Sequence, residues 1–327
     1  MNILLLCGGD SSEHSVSITS SSFLKSELVH LPNLNVIEII IHNGCWKTSN
    51  NHDCYLKMDG YLVLDDNSSY KIDYLVPCFH GYPGETGDIQ SLCEMINIPY
   101  LGCDSESSKL CYNKISTKLW LSELNIPNTP FISIYDQSPD STNLAINALK
   151  KWGELFIKAA SQGSSIGCYR VNDLSTLFKA IEKAFKYSNR VIIEQSLKHR
   201  ELEVAVYEYK NDIIVTNPGE IIFPENSFYT YDEKYNQNSS TLVKVVADYL
   251  TDNQLKLLRE YSLRVFKGLK LKDLSRIDFF LSYDNKIYVN EINTFPGMTQ
   301  SSLFPKLLAN SGTSMRMFLL DRIQKAL

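Results

Sequence analysis

Apolar runs in the first eighty residues are short and alternate with amphipathic stretches. Residues 2–7 (NILLLC) run into Gly8-Gly9, the pattern of a buried strand entering a tight turn. Residues 15–29 read as a helix, and residues 36–41 and 74–78 as β-rich runs. This strand–helix alternation predicts an α/β domain on a parallel sheet, where ligands collect at the carboxyl ends of strands. Gly8-Gly9 and His80-Gly81 both follow strands, so both turns are candidate binding loops.

Residues 109–124 read as one helix, and Pro127 and Pro130 break the pattern after it. A short strand at 155–158 leads into the loop 159–167. Asp173 then caps a helix with apolar residues at Leu174, Leu177, Phe178, Ile181 and Phe185. A strand at 191–194 precedes a hairpin, 203–209 and 213–216, around Lys210-Asn211-Asp212. Residues 224–240 are polar and Tyr/Asn-rich with weak periodicity; an ordered loop of that length is usually functional. A helix at 252–269, paired strands at 276–281 and 286–290, and a last helix from Ser314 complete the reading. The chain shows no internal repeat and no low-complexity linker.

At 327 residues the chain exceeds one small core, and two or three domains are expected. A net charge of −5 without any basic block excludes nucleic acid and an anionic membrane as main partners. The apolar run at 3–7 is too short for a signal segment, and nothing approaches the ~18 apolar residues of a membrane span. A cytoplasmic protein is expected. The eight cysteines show no CxxC pair and no ligand spacing with histidine, which predicts free, mostly buried thiols.

Chemistry concentrates late in the chain. Arg276-Ile277-Asp278 lies on one strand and Glu291-Ile292-Asn293 ends the next. Residues two apart share a face, so all four polar side chains can converge. Two carboxylates and an amide form an oxygen-only donor set of the kind Mg²⁺ shares with nucleotide phosphates. Arg276 beside them can stabilise charge developing on a phosphate or an oxyanion; a plain inter-strand salt bridge is the competing reading. The loop Gly163–Gly167 (GSSIG) offers backbone N–H groups and hydroxyls to phosphate oxygens, with Lys158 as a point charge, although a plain turn reads equally well. It is not a P-loop. Glu194 and Gln195 end a strand where an adenine edge can be read, and Glu201 can take ribose hydroxyls. Glu13, in GGDSSEHSVS, can hold an ammonium group, whereas His14 reads as a polar helix start.

In this order the segments GGDSSEHSVS, HGYPGETGDIQS, NKISTKLWL, IKAASQGSSIG, IIEQSL, RELEVAV, FYTYDEKY, RIDFF and EINTFPGMTQSSL resemble the D-alanine–D-alanine ligase family of the ATP-grasp superfamily. The resemblance spans nearly the whole chain. It implies a mixed α/β, three-domain ATP-grasp fold: an N-terminal substrate-side domain (1–112), a central subdomain (113–198) and a C-terminal subdomain (199–327) with a lid loop at 224–240. It implies ATP between the last two, held by Lys114, Lys158, Ser165, Glu194, Gln195, Leu197, Glu201, Lys234 and Phe280. Asp278, Glu291 and Asn293 match ligands of two Mg²⁺ ions, with Mn²⁺ able to substitute. Glu13 and His80 match residues beside the first D-alanine, and Ser164 and Tyr235 complete a hydrogen-bonded trio with Glu13. Arg276 and the Gly297 N–H match the oxyanion-binding pair, and Ser302 and Leu303 the receivers of the second D-alanine's carboxylate. A homodimer is implied as well. The loop after His80 reads GETGDIQS where many members read GEDGxxQG, with Glu85 and Gln90 kept.

The resemblance implies that ATP phosphorylates one D-alanine and that the amine of a second attacks the acyl-phosphate, under a lid that excludes water. Lys234-Tyr235 favours an amine over a hydroxyl nucleophile. Two alternatives stand beside this reading: an ATP-grasp ligase for a different amino or hydroxy acid, and a nucleotide-binding relative without turnover. An NAD-dependent enzyme is disfavoured because the first turn lacks GxGxxG.

Overall fold

The computed structural model describes residues 1–223 and 241–326. Its first sheet has the order β3-β2-β1-β7, from β1 (Asn2–Gly8), β2 (Asn35–His42), β3 (Cys45–Thr48) and β7 (Tyr74–Cys78). β1 pairs parallel with both β2 and β7, as expected, while β3 adds an antiparallel edge. Ile3 through Cys7 are all fully buried, the continuous apolar run of a strand covered on both faces. A small antiparallel sheet of β4 (Cys54–Leu56), β5 (Tyr61–Leu64) and β6 (Ser69–Lys71) was not legible, because strands of three or four residues carry too little periodicity. Helix α1 (His14–Leu28) leaves the β1 turn, and α2 (Asp88–Ile96) follows the loop after His80.

The single helix expected over 109–124 is two: α3 (Ser105–Tyr112) and α4 (Lys114–Glu123). Asn113 adopts an extended backbone, and its side chain accepts from the N–H groups of Ile115 and Ser116. A capping asparagine satisfies two amide donors at a helix start, so local capping overrides the continuous periodicity. The break sets Lys114 on the first turn of α4.

The second sheet, order β10-β9-β11-β8, is wholly antiparallel, from β8 (Phe131–Ile134), β9 (Leu155–Ala159), β10 (Cys168–Val171) and β11 (Val191–Gln195). Helices α5 (Pro139–Trp152) and α6 (Leu174–Phe185) share a core with it, around Ala145, Leu149, Ile157, Leu177 and Ile181. Asp173 caps α6 as expected, accepting from the Thr176 N–H. Leu174 and Phe178, read as part of its apolar face, are 48% and 46% exposed: the small Ala180 and Ala184 face the sheet instead.

The third sheet has the order β15-β14-β12-β16-β17, with β13 also on β12. Its members are β12 (His199–Tyr209), β13 (Asp212–Val215), β14 (Gly219–Ile222), β15 (Leu242–Lys244), β16 (Leu274–Ser282) and β17 (Ile287–Asn293). The foreseen β12–β13 hairpin is present, but β12 starts at His199, four residues before the expected boundary. Helices α7 (Asp252–Gly268), α8 (Leu303–Asn310) and α9 (Met315–Lys325) complete the fold. Leu24 and Leu28 of α1 share a core with Tyr207 of β12, Phe304 and Leu307 of α8 and Phe318 of α9, so the two ends of the chain bury one apolar surface. None of the eight cysteines forms a disulfide, and six are buried. Among the described residues no helix is long and apolar enough to cross a membrane.

Candidate active site

β16 and β17 place Arg276 directly opposite Asn293 and Asp278 directly opposite Glu291, so the four polar side chains share one sheet face. Arg276 donates through Nε and Nη2 to the two oxygens of Asp278, at 2.7 and 2.8 Å. Its Nε also lies 3.1 Å from Glu203 Oε2, on β12. Burial opposes the guanidinium charge, but Asp278 and Glu203 outweigh it and hold Arg276 protonated. Asn293 donates from Nδ2 to Asp278 Oδ2 at 3.0 Å, which leaves its amide oxygen as an acceptor. Lys114 Nζ lies 3.9 Å from Glu291 Oε2 and donates to the Gln162 carbonyl.

Among the described residues no three His, Cys, Asp or Glu side chains gather as a self-sufficient metal cage. Two carboxylates and an amide are instead the partial, oxygen-only donor set that magnesium completes with phosphate oxygens and water. The residues present fit that ion.

On the central sheet Lys158 donates to Glu194 Oε2 at 2.7 Å, and Lys118 of α4 lies 3.2 Å from Glu194 Oε1. Burial pushes the Glu194 carboxyl up, but the two ammonium groups overcome this and hold it down at about 2. Next to it, Gln195 continues β11, and the Leu197 carbonyl accepts from His199 Nδ1 at 2.6 Å. The His199 ring lies 3.8 Å from that of Phe280, which stands opposite Glu201. Glu194 and Gln195 thus end β11 of the second sheet, Leu197 lies in the connection to β12, and Glu201 and Phe280 stand opposite each other in the third sheet.

The loop between β9 and β10 carries Ser164 at φ +49° and Ser165 at φ +59°. Two consecutive non-glycine residues in the left-handed region are strained, a condition that clusters at binding sites. The Ser164 hydroxyl donates to Glu13 Oε1 at the end of the β1 turn. Glu13 is buried, and so is His80, whose Nε2 meets the Ser20 hydroxyl at 2.9 Å. Burial pushes the His80 pKa down, against the pull of Glu13. Glu85 accepts from the Gly81 N–H at 2.8 Å; burial, reinforced by the Glu13 charge, raises its carboxyl to about 8. Gly297 packs so closely on Ser302 that an added Cβ would come within 3.0 Å of the Ser302 Oγ. Ser302 and Leu303 stand at the start of α8, where first-turn N–H groups lack helical partners.

The fold thus joins Glu13 to Ser164, Arg276 to Asp278, Lys158 to Glu194 and Gly297 to Ser302, and sets Lys114 beside Glu291 and Phe280 opposite Glu201. Tyr235 and Lys234, with the loop 224–240, lie outside the described residues. Two residues, Lys118 and Glu203, escaped the sequence reading, and Glu85 was named there without a role. Lys118 sits on α4 between Ile115 and Leu121, so a lysine inside an apolar stripe was its available signal. Glu203 follows Glu201 on the same strand face, and Glu85 needed the loop geometry.

The mixed α/β fold, with the Glu13 turn joined to the Ser164 loop, two lysines on Glu194 and Arg276 clamped on Asp278, is that of an ATP-grasp type of carboxylate–amine ligase. Residues 2–103 match the family model "D-ala D-ala ligase N-terminus" and residues 120–324 the model "D-ala D-ala ligase C-terminus". The chain belongs to the D-alanine–D-alanine ligase family, whose members are ATP-dependent ligases. It is 50% identical to the D-alanine–D-alanine ligase of Tolumonas auensis over 98% of this chain and 96% of that protein. The crystal structure of D-alanyl-alanine synthetase A from Vibrio cholerae superposes with a TM-score of 0.95 at 45% identity, covering 100% of this chain and 98% of that one. A D-Ala:D-Ser ligase from Enterococcus faecalis gives 0.87 at 27% identity, covering 100% and 99%.

Proposed function

We propose that the protein joins two molecules of D-alanine at the expense of ATP, as a cytoplasmic homodimer that supplies the dipeptide for peptidoglycan precursors. The observation that carries this reading is the Ser164–Glu13 hydrogen bond, which joins the phosphate-side loop to the substrate-side turn. The two halves of a carboxylate-activating site meet there.

A carboxylate is a poor electrophile. In the proposed reaction a carboxylate oxygen of the first D-alanine attacks the γ-phosphorus of ATP, ADP leaves, and an acyl-phosphate results. Glu13 holds the ammonium of that D-alanine, with the buried His80 beside it. Lys114, Lys158 and Ser165 contact the phosphates, while Glu194, Gln195, Leu197, Glu201 and Phe280 seat the nucleoside. Asp278, Glu291 and Asn293 would hold two Mg²⁺ ions, replaceable by Mn²⁺, which when bound neutralise phosphate charge and polarise the transferred group.

The second D-alanine binds with its carboxylate on the Ser302 hydroxyl and the Leu303 N–H, where the α8 dipole favours an anion. Its amine loses a proton and attacks the acyl carbon. The oxygen that gains charge faces Arg276 and the Gly297 N–H. Phosphate then departs. The loop 224–240, with Lys234 and Tyr235, excludes the water that would hydrolyse the acyl-phosphate.

The test is release of ADP and phosphate with Mg-ATP and D-alanine, beside L-alanine, D-lactate and D-serine. Turnover that requires D-alanine and yields its dipeptide is the expected result. ATP use only with another acid would reassign the substrate, and ATP binding without turnover would remove the ligase activity.

A further inference from the structure

Lys118 is a charged side chain sealed in the protein, 1% exposed, and none of the roles above uses it. It donates to the Thr129 carbonyl at 3.1 Å, lies 5.5 Å from the Phe131 ring centroid, and reaches Glu194 Oε1 at 3.2 Å. Glu194 is 2% exposed, and its other oxygen accepts from Lys158 at 2.7 Å. Lys158 is the outermost of the three, its side chain 12% exposed. The arrangement is a line: a sealed cation, a buried anion, then a cation at the open face.

The charges explain why a second lysine is needed. Glu194 alone would orient Lys158 but cancel it, leaving a neutral pair where phosphates must bind. Desolvating a lysine is costly, so its retention at a sealed position calls for a return. With Lys118 and Glu194 as the neutral pair, one net positive charge remains on Lys158, and Glu194 still aims it. In a medium that screens poorly, that charge attracts phosphate strongly.

We propose that Lys118 is a positioning residue of the nucleotide site: it neutralises Glu194, so that Glu194 fixes the Lys158 ammonium without cancelling its charge toward ATP. The inference rests on the reading of this junction as the nucleotide site. It concerns phosphate, not the base, and a loss of local packing would weaken both alike.

The experiment measures the dissociation constants of Mg-ATP and of adenosine by calorimetry, for the full chain and for Lys118→Met. The expected result is an adenosine-to-ATP ratio lowered about tenfold by the variant, with adenosine affinity retained. An unchanged ratio in folded Lys118→Met overturns the proposal. Where that variant does not fold, Lys118→Gln decides, since it removes the cation and keeps a donor for the Thr129 carbonyl: the same tenfold fall is expected, and an unchanged ratio overturns the proposal. Parent protein that binds adenosine as tightly as Mg-ATP, or binds neither, fails the nucleotide-site reading itself.

Discussion

Ser164 and Glu13 stand 151 positions apart, and the hydroxyl of one donates to the carboxylate of the other. The contact is fitted from both sides. A Cβ on Gly163 would come within 2.8 Å of Glu13 Oε2, so glycine there lets the loop backbone approach the carboxylate. Ser164 and Ser165 hold left-handed backbone angles, and the Glu13 contact helps maintain them.

Ser164→Ala removes the hydroxyl and leaves Glu13 short of a charge-assisted hydrogen bond. Such bonds contribute about 1.5–3 kcal/mol, so kcat/KM for D-alanine is expected to fall roughly 10- to 100-fold. The KM for ATP should stay near its parent value, because Lys158 and Glu194 are untouched. Steady-state kinetics with each substrate varied separately checks this. A loss confined to ATP would place Ser164 on the nucleotide instead.

Arg276→Lys keeps a positive charge but loses the two-pronged geometry that meets both oxygens of Asp278. A lysine there cannot pair Asp278 at two points and still present a donor to the reacting oxygen. The expected outcome is a fall in kcat of roughly 10²–10³, the magnitude for removing one oxyanion donor. Circular dichroism should show a folded protein. Parent-like kcat would remove Arg276 from the reacting centre.

Glu85 gives a pH dependence with a definite sign. Its folded-state pKa is raised to about 8 by burial and by the negative charge of Glu13. A raised carboxyl pKa means that the folded protein holds a proton the unfolded chain has already lost. The stability contribution is therefore full below the ordinary carboxylate range, about 4.3, and is lost as pH rises through about 8. Glu85→Gln keeps a neutral group there and should flatten the decline. Melting temperatures measured between pH 5 and 9 compare the two, and parallel curves would sink the assignment.

β1 and the Arg276/Asp278–Glu291/Asn293 face were readable because an unbroken apolar run and a period of two are purely local signals. The relation of Glu13 to Ser164 could come only from the family resemblance, since no local pattern links a helix start to a loop 151 residues away. The break at Asn113 was hidden because apolar periodicity carries on through a capping residue. α5 went unread despite Ser138-Pro139, a capping residue ahead of a proline in the first turn. Lys118 was missed because burial of a charge depends on Glu194, which belongs to another element.

Arg322 bears on stability and not on the candidate active site. Its guanidinium, on α9 and 1% exposed, lies 2.8 Å from Glu208 Oε2 and 3.3 Å from Asp273 Oδ1, and also pairs with Asp321. Asp273 accepts from the Gly102 N–H at 2.8 Å, so the cluster ties the C-terminal helix to β12, to the entry of β16 and to the segment before α3. Arg322→Met would leave Asp273 buried without its cation, and burial already raises that carboxyl. Removing one partner of a buried ion pair costs about 3–5 kcal/mol, which should lower the melting temperature by several degrees at neutral pH. Adding Asp273→Asn removes the stranded charge, and the double variant should recover part of the loss. If Arg322→Met melts like the parent, the cluster does not hold these segments together. If the double variant melts below the single one, the loss comes from packing around Arg322 and not from the charge left on Asp273.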